Sequence, residues 1–298
     1  MIKAKSRTNR PKRIAWGESA DVLRLPKRLR RFGASVVRIE RRYRGKQANI
    51  SPESARSRYY PMKLAALLFP ENVIELRGLQ VSKKTPKGLV QIAPRYYSPY
   101  YPLPPKARKE ISQMRDKIRL AHEGKVEWEK MEKEIDVFDS RMREMFPDLI
   151  PAARKIEAAG FIVPHPEINF TVRNGKIMFY EVELKTGGEK ETRGGEMSKK
   201  PIDAAVSMAK KMQKEEARRF SADAIKLCCK CNSEYGNSIS GSLYSFLTRA
   251  SDELFSGGII SKRECREWSE AFGKLYLSKS KAEAEEAIKR IRLIPEPS

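Results

Sequence analysis

The sequence predicts an α+β protein with two lobes, a small β-rich N-lobe with a hinge over residues 14–105 and a helical C-lobe over residues 106–298. Short alternating apolar runs bounded by glycine and proline, typical of strands, dominate the first hundred residues. Beyond them, apolar residues recur three and four positions apart, which indicates long amphipathic helices. One polar hairpin, within residues 160–185, interrupts those helices and carries most of the side chains suited to metal or phosphate chemistry.

Charge is unevenly distributed along the 298 residues. The formal net charge is +23, and between Met1 and Lys46 sixteen lysines and arginines face three acids. Such a block favours a polyanionic partner, which would be RNA, DNA, the ribosome or the phosphates of a nucleotide. A solubilising role for this charge stays open, because no RNA-binding motif accompanies it. Residues 1–13 lack an apolar period and are predicted to form a disordered basic tail.

Composition limits the class of protein further. No apolar run approaches the ~20 residues of a membrane span, and the N-terminus lacks the apolar core of a signal peptide. We therefore expect no membrane partner and a cytoplasmic location. Three of the four cysteines (Cys228, Cys229 and Cys231) fall within a predicted helix, and no second Cys-x-x-Cys pair or group of histidines accompanies them to complete a zinc site, which indicates buried thiols.

The N-lobe prediction begins with strands at residues 14–16, 21–25 and 35–40. In the last of them Arg38 stands between β-branched residues, and a cation on a strand buried on one face requires an anion from a side chain or a ligand. Ser51, Pro52 and Glu53 then provide an N-cap, a proline in the first turn and an acid, so a helix is predicted from here to about Phe69.

Two further strands are predicted at residues 72–79 and 88–93. After them, residues 95–105 hold four tyrosines among prolines, which predicts an extended connector because proline blocks a helix or an inner strand. This connector is either an inert linker or a hinge whose aromatic rings cover a pocket. Long helices follow, broken near Gly124 and again by Pro147 and Pro151, and helices return behind a glycine-rich stretch at 187–195.

The hairpin consists of predicted strands at 169–172 and 176–182, joined by a turn through Asn174-Gly175. Asparagine followed by glycine between two such runs is the strongest short-range hairpin signal, because both turn positions need positive φ. Alternation along the second strand would put Glu181, Glu183 and Lys185 on one face. Two interpretations stay open, a site for a cation such as Mg²⁺ and a solvated strand end.

This order of elements resembles the protein-kinase-like superfamily, and residues 14–186 look like an atypical, small-molecule-kinase-like member. The strand at 36–39 (VVRI) is similar to the kinase VAIK strand, with Arg38 at the lysine position. Glu53 is the nearest match to the glutamate that pairs with that lysine. The resemblance therefore implies that Arg38 and Glu53 bind a nucleotide in a cleft between the lobes.

The hairpin resembles the kinase run between the catalytic-loop asparagine and the DFG acid. On this resemblance Asn169 takes the second-metal role, Glu181 takes the DFG aspartate role, and Glu183 is a further metal ligand. Mg²⁺ and ATP are the implied cofactors. Arg38 and Glu181 should then converge beneath the tyrosine-rich connector.

The sequence also departs from the kinase pattern. No HRD motif is present: the nearest candidate for the catalytic base is Glu167, two residues before Asn169, where a kinase base lies five before. No glycine-rich loop precedes the third strand, and arginine replaces lysine, which changes the geometry of phosphate binding. Positioning and charge neutralisation carry most of phosphoryl transfer, so a transferase stays open, but these losses favour a pseudokinase.

A second resemblance covers residues 152–185 alone. A short helix, Pro166-Glu167, a hairpin and Glu183-Leu184-Lys185 resemble the core of the PD-(D/E)xK nucleases. In that family two acids hold Mg²⁺ and a lysine assists the attacking water, roles that would fall here to Glu167, Glu183 and Lys185, with Glu181 as an auxiliary acid. A third alternative needs no chemistry, namely a basic protein that binds RNA or the ribosome.

Overall fold

The computed structural model describes residues 12–16, 20–27, 30, 32–40, 51–86, 88–99, 101–185, 198–233 and 239–294. Helices and small antiparallel sheets are both present, so the fold class is α+β as predicted. The chain divides into two compact units. Unit 1 comprises Met1–Ala55, Glu71–Ala153 and Pro164–Glu181, and unit 2 comprises Arg56–Pro70, Arg154–Val163 and Val182–Ser298. A division into lobes at residue 105 stays a prediction.

Unit 1 contains a five-stranded antiparallel sheet in the order β1-β2-β3-β5-β4. Its strands are β1 (Lys12–Trp16), β2 (Ala20–Arg24), β3 (Val36–Glu40), β4 (Gly78–Thr85) and β5 (Gly88–Ser98). The first strand begins at Lys12, so the predicted tail is wrong for its last two residues, while residues 1–11 lie outside the described part. One sheet face carries a buried cluster formed by Leu25, Ala34, Val37 and Tyr97.

The predicted strand at 72–79 is mostly wrong. Only Gly78 and Leu79 belong to a strand, because the backbone before them bonds elsewhere: Val73 makes an isolated bridge to Phe179. The next strand, β5, is longer than predicted and takes in the first four residues of the tyrosine-rich connector. Pro94 is accommodated within it because the β4–β5 register shifts between Gln80 and Ser82, and irregularities of this kind tolerate a missing amide donor.

Helix α1 (Pro52–Leu68) lies between β3 and β4 in the chain, with the predicted cap: the Ser54 amide donates to the Ser51 Oγ at 3.1 Å. Three more helices follow β5, namely α2 (Pro105–His122), α3 (Trp128–Met145) and α4 (Leu149–Ala158), and they match the predicted apolar periods. The end of α3 supports the hairpin, since the rings of Phe146 and Phe170 meet edge to face at 4.8 Å.

Four short strands follow α4. They are β6 (Phe161–Ile162), β7 (Phe170–Arg173), β8 (Lys176–Phe179) and β9 (Glu183–Leu184). The β7–β8 hairpin belongs to unit 1, whereas β6 pairs antiparallel with β9 in unit 2. The hairpin is tied to the chain ahead of β4, because the Asn72 Nδ2 donates to the Ile177 carbonyl at 3.0 Å.

Unit 2 is largely helical. Its described C-terminal part forms α5 (Lys200–Ala209), α6 (Lys214–Ser233), α7 (Gly241–Ser256), α8 (Lys262–Tyr276) and α9 (Lys281–Lys289). The predicted glycine-rich stretch at 187–195 lies outside the described residues. Cys228, Cys229 and Cys231 are fully buried on α6, which confirms the prediction of buried thiols. Burial raises the pKa of the Cys228 thiol to about 12.

Candidate functional site

The hairpin turn forms as the sequence predicts, but the second strand ends early. Asn174 and Gly175 have φ values of 50° and 76°, as a two-residue turn of this type requires. Strand β8 stops at Phe179, which pairs with Phe170 at the start of β7, so no further residue of β7 remains to continue the ladder. The prediction that Glu181, Glu183 and Lys185 share one face of a single strand is therefore wrong.

Arg38 and Glu181 come together, as the sequence analysis expects. An Nη2 of Arg38 lies 3.6 Å from the Oε1 of Glu181, and each side chain is 30% exposed. Glu181 reaches this place because the Tyr180 amide donates to the Asn169 carbonyl at 2.8 Å, the last backbone bond of the hairpin. The strand β3 and the end of the hairpin thus present opposite charges to each other within unit 1.

Arg38 lies on the sheet face opposite the apolar cluster. Its cross-strand partner on β5 is Tyr96, which is buried and whose hydroxyl lies 3.4 Å from the Ala55 carbonyl at the start of α1. Across the part of the chain that the structure describes, the side chain of Arg38 donates no hydrogen bond and the carboxylate of Glu181 accepts none. An ion pair this long leaves the guanidinium donors and the carboxylate oxygens available to a ligand.

A second arginine, which sequence reasoning missed, lies close to this pair. The Arg115 Nη2 on α2 donates to the Ile168 carbonyl at 3.0 Å. Burial lowers the pKa of its guanidinium, Tyr180 opposes this shift, and the positive charge of Arg38 adds to it. A sequence signal existed: Arg115 lies four residues after Ile111 and three before Ile118, hence on the apolar stripe of α2.

Asn169 and Tyr180 fix the backbone around Glu181. The Asn169 Nδ2 donates to the Pro164 carbonyl at 2.8 Å, and its amide oxygen accepts no hydrogen bond from the described residues. The Tyr180 hydroxyl donates to the Tyr101 carbonyl at 2.8 Å, which ties the connector to the hairpin. Asn169 can therefore offer an oxygen to a cation while its nitrogen holds the preceding loop in place.

Glu167, the candidate catalytic base, is bound by an arginine side chain. Its side chain is buried, and the Nε and Nη2 of Arg143 on α3 both bind its Oε1, at 3.1 and 2.8 Å. A buried carboxylate needs such a partner because its charge is otherwise desolvated. This arrangement favours a structural ion pair between α3 and the loop before β7 over a catalytic base.

The remaining candidates differ in their surroundings. Glu53 is exposed in the first turn of α1, and in the described residues the ion pair of Arg38 is with Glu181 rather than with Glu53. Glu183 and Lys185 are exposed and belong to unit 2. The Lys185 amide donates to the Gly160 carbonyl at 2.9 Å, which extends the β6–β9 pair by one bond.

The donor set limits how Mg²⁺ could be held. The described residues contain no group of three His, Cys, Asp or Glu side chains able to hold a metal. Glu181 is the carboxylate beside Arg38, and Asn169 offers an amide oxygen at the same end of the hairpin. Mg²⁺ in proteins is commonly held by one or two carboxylates together with substrate phosphates and water. These residues therefore fit Mg²⁺ that arrives with a nucleotide and do not fit the free ion.

The sequence matches no protein-family model and no curated protein. Among the described residues, no helix has the length and apolar character needed to cross a membrane.

Proposed function

We propose that this protein is a kinase-like pseudokinase that binds a magnesium nucleotide at Arg38 and Glu181. The single observation that carries the proposal is the approach of these two side chains, one from β3 and one from the segment after β8, to 3.6 Å. In the resemblance these positions belong to the phosphate-binding lysine and the metal-binding acid. Each residue retains unused hydrogen-bonding capacity, as a ligand site requires.

The order of elements supports the same proposal. Three strands, one helix, two strands, a connector, long helices and a short polar hairpin follow one another along the chain, which is the layout that the resemblance implies. In the five-stranded sheet, β3 is central and pairs with both β2 and β5. Pairing on both sides holds the backbone of a central strand in place, so the position from which the Arg38 side chain extends is fixed.

The roles of the residues follow from their chemistry. Arg38 would bind phosphate oxygens through its planar donors, and Glu181 with the Asn169 amide oxygen would orient the cation carried by the nucleotide. Mg²⁺ would neutralise phosphate charge when bound. Five residues before Asn169, where a kinase has its base, stands Pro164, which cannot accept a proton. Since Glu167 is held by Arg143, we expect binding with little or no phosphoryl transfer.

Thermal unfolding and isothermal calorimetry with Mg²⁺-ATP test the proposal. At a ligand concentration of 100 times Kd, binding should add about 2.7 kcal/mol to the free energy of unfolding. Mg²⁺ alone should have no effect. Arg38→Gln and Glu181→Gln should each remove most of the stabilisation by Mg²⁺-ATP.

The matched controls are Arg141→Gln and Glu110→Gln, which break an ion pair of 2.8 Å elsewhere in unit 1. These variants should respond to Mg²⁺-ATP like the wild type. Absence of any shift in the wild type would refute nucleotide binding.

Two assays separate the alternatives. Mg²⁺-dependent cleavage of DNA or RNA that disappears in Lys185→Ala would instead support the nuclease; the ion pair of Glu167 with Arg143 disfavours it, because that family would use Glu167 as a metal ligand. Salt-sensitive RNA binding that persists in Glu181→Ala and Glu167→Ala would support a basic RNA-binding protein. Most of the basic residues between Met1 and Lys46 lie outside the described part of the chain.

A further inference from the structure

Arg115 extends the candidate site onto a third element. Arg38 comes from β3, Glu181 follows β8, and Arg115 comes from the middle of α2. Arg115 binds the Ile168 carbonyl, the next residue Asn169 accepts the Tyr180 amide, and Tyr180 precedes Glu181. This unbroken series of contacts keeps both guanidinium groups at the same end of the hairpin.

The charges at this end of the hairpin do not balance. Arg38 and Arg115 bring two positive charges against the one negative charge of Glu181, and in the described residues no carboxylate forms an ion pair with Arg115. Two like charges that are partly withdrawn from water repel each other, and an anion bound between them would relieve this repulsion.

The hydrogen-bond inventory points the same way. Arg115 uses its Nη2 on a backbone carbonyl, so most of its five N–H donors are not used by the described residues, and the guanidinium of Arg38 donates to none of them. Planar guanidinium forks match phosphate oxygens in pairs. Two guanidinium groups on different elements can each bind one of two neighbouring phosphate groups. A single phosphate would make fewer hydrogen bonds to the two arginines.

We propose that Arg115 is a second phosphate-binding residue, which together with Arg38 makes the site selective for a polyphosphate over a single phosphate. This inference rests on the proposed nucleotide site and names the part of the nucleotide that is recognised. It also predicts that inorganic triphosphate alone binds, because both arginines act on phosphate and not on the base.

Calorimetric titration of the full-length protein with ATP, AMP and inorganic triphosphate, each with Mg²⁺, tests this inference. Arg115→Gln should lower the affinity for ATP and for triphosphate about 10- to 100-fold, the loss typical of a charged hydrogen bond. AMP should bind the wild type far more weakly than ATP does, and the affinity for AMP should change little in the variant.

The matched control lies on the same helix. Arg108 also donates through its Nη2 to a backbone carbonyl, that of Leu103 at 3.3 Å, and it is exposed. Arg108→Gln therefore removes the same charge and the same kind of bond and should leave ATP affinity unchanged. If Arg115→Gln fails to fold, Arg115→Lys keeps the charge without the fork, and its ATP affinity should still fall measurably below that of the wild type.

The outcomes separate this inference from the proposed function. ATP binding that is equal in the wild type and both Arg115 variants overturns the role of Arg115 and leaves the nucleotide site standing. If triphosphate binding depends on Arg115 but ATP binds no more tightly than triphosphate alone, the role of Arg115 is supported. The proposal that the site recognises a nucleotide is then rejected. A wild type that binds neither ATP nor triphosphate overturns both.

Discussion

At the scale of single residues, the loop before β7 and the helix α3 share a compact group of charges. Glu167 is buried with Arg143 bound to it, and Asp139 on α3 lies near both. Sequence reasoning placed Glu167 correctly in the loop but assigned it the role of a catalytic base. The spacing of acids along a chain does not show which basic side chain of a helix will pair with them. Arg143 lies 24 residues earlier, so this pair is a tertiary contact.

Asp139 makes this group sensitive to pH. Burial raises the pKa of its carboxyl from 3.8 to about 6, Glu167 adds to the shift, and Arg143 opposes it. Between these two values the folded protein holds a proton that the unfolded chain releases, so the free energy of unfolding falls as the pH rises through this window. Asp136 and His165 also act on this carboxyl, in opposite directions.

We therefore expect Asp139→Asn to stabilise the protein at pH 7.5 by about 1 kcal/mol, after allowance for solvent screening. The gain should largely disappear near pH 3.5, where Asp139 is protonated in the folded protein and mostly protonated in the unfolded chain. Urea denaturation at the two pH values measures the difference in the free energy of unfolding between variant and wild type. The control is Asp223→Asn, at an exposed position, which should leave the free energy of unfolding unchanged at both pH values. An equal gain at both pH values would contradict the raised pKa.

At the scale of elements, local signals predicted well and remote ones did not. The cap at Ser51 and the turn at Asn174-Gly175 depend on a few neighbouring residues, and both formed as expected. The start of β4 was misplaced because the chain before it bonds to a remote partner, Val73 to Phe179. The end of β8 was also misplaced, because the pattern did not show where its neighbour β7 begins. Arg115 was missed for the same reason, since its neighbours Ile168 and Arg38 come from other elements.

The turn of the β7–β8 hairpin offers a direct test of its geometry. Gly175 has a φ of 76°, and a Cβ added there meets no described atom within 4 Å, so the cost of Gly175→Ala is confined to backbone strain. That strain is about 1–2 kcal/mol. Thermal or urea unfolding should show a loss of this size.

The same substitution elsewhere should have the opposite sign. Gly273 lies within helix α8, also in open space, with an ordinary φ. Gly273→Ala should therefore stabilise the protein by up to about 1 kcal/mol, because alanine restricts the unfolded chain more than glycine does. A neutral or stabilising Gly175→Ala would show that the turn adopts a different conformation.

At the scale of the whole molecule, unit 2 depends on one buried carboxylate. Glu264 on α8 is fully buried, binds the Arg218 guanidinium of α6, and accepts the amides of Ser261 and Ile294 at 2.9 and 3.0 Å. Burial disfavours its charge, but these bonds outweigh that effect and hold the pKa of Glu264 below its ordinary value. Its contribution to stability is present above pH 4.5 and is lost as the pH falls through the lowered pKa.

Glu264→Gln should destabilise unit 2 by about 3 kcal/mol, because it removes the buried negative charge that binds the Arg218 guanidinium. The cysteines of α6 report this loss. In the native wild type a maleimide should label Cys265 slowly and leave Cys228, Cys229 and Cys231 unlabelled, since these three are fully buried. Mass spectrometry should show much faster labelling of these three in Glu264→Gln.

The control for this experiment is Glu267→Gln on the same helix. The half-buried Glu267 pairs with the exposed Arg263 four residues away, and surface pairs of this kind contribute little. In Glu267→Gln, the three cysteines of α6 should be labelled at the same rate as in the wild type. Slow labelling in Glu264→Gln would mean that the Arg218 network does not limit the opening of α6.

The way the chain alternates between the two units has a practical consequence. Each unit is assembled from three separate stretches, and two of the five crossings between the units fall inside helices, namely α1 and α4. A contiguous fragment that contains all of one unit therefore also carries part of the other. Residues 1–181 span unit 1 and include two stretches of unit 2, and residues 56–298 span unit 2 and include two stretches of unit 1. Gene dissection, the usual route to a minimal binding fragment, cannot isolate either unit from the other, so purification and ligand screening call for the intact polypeptide.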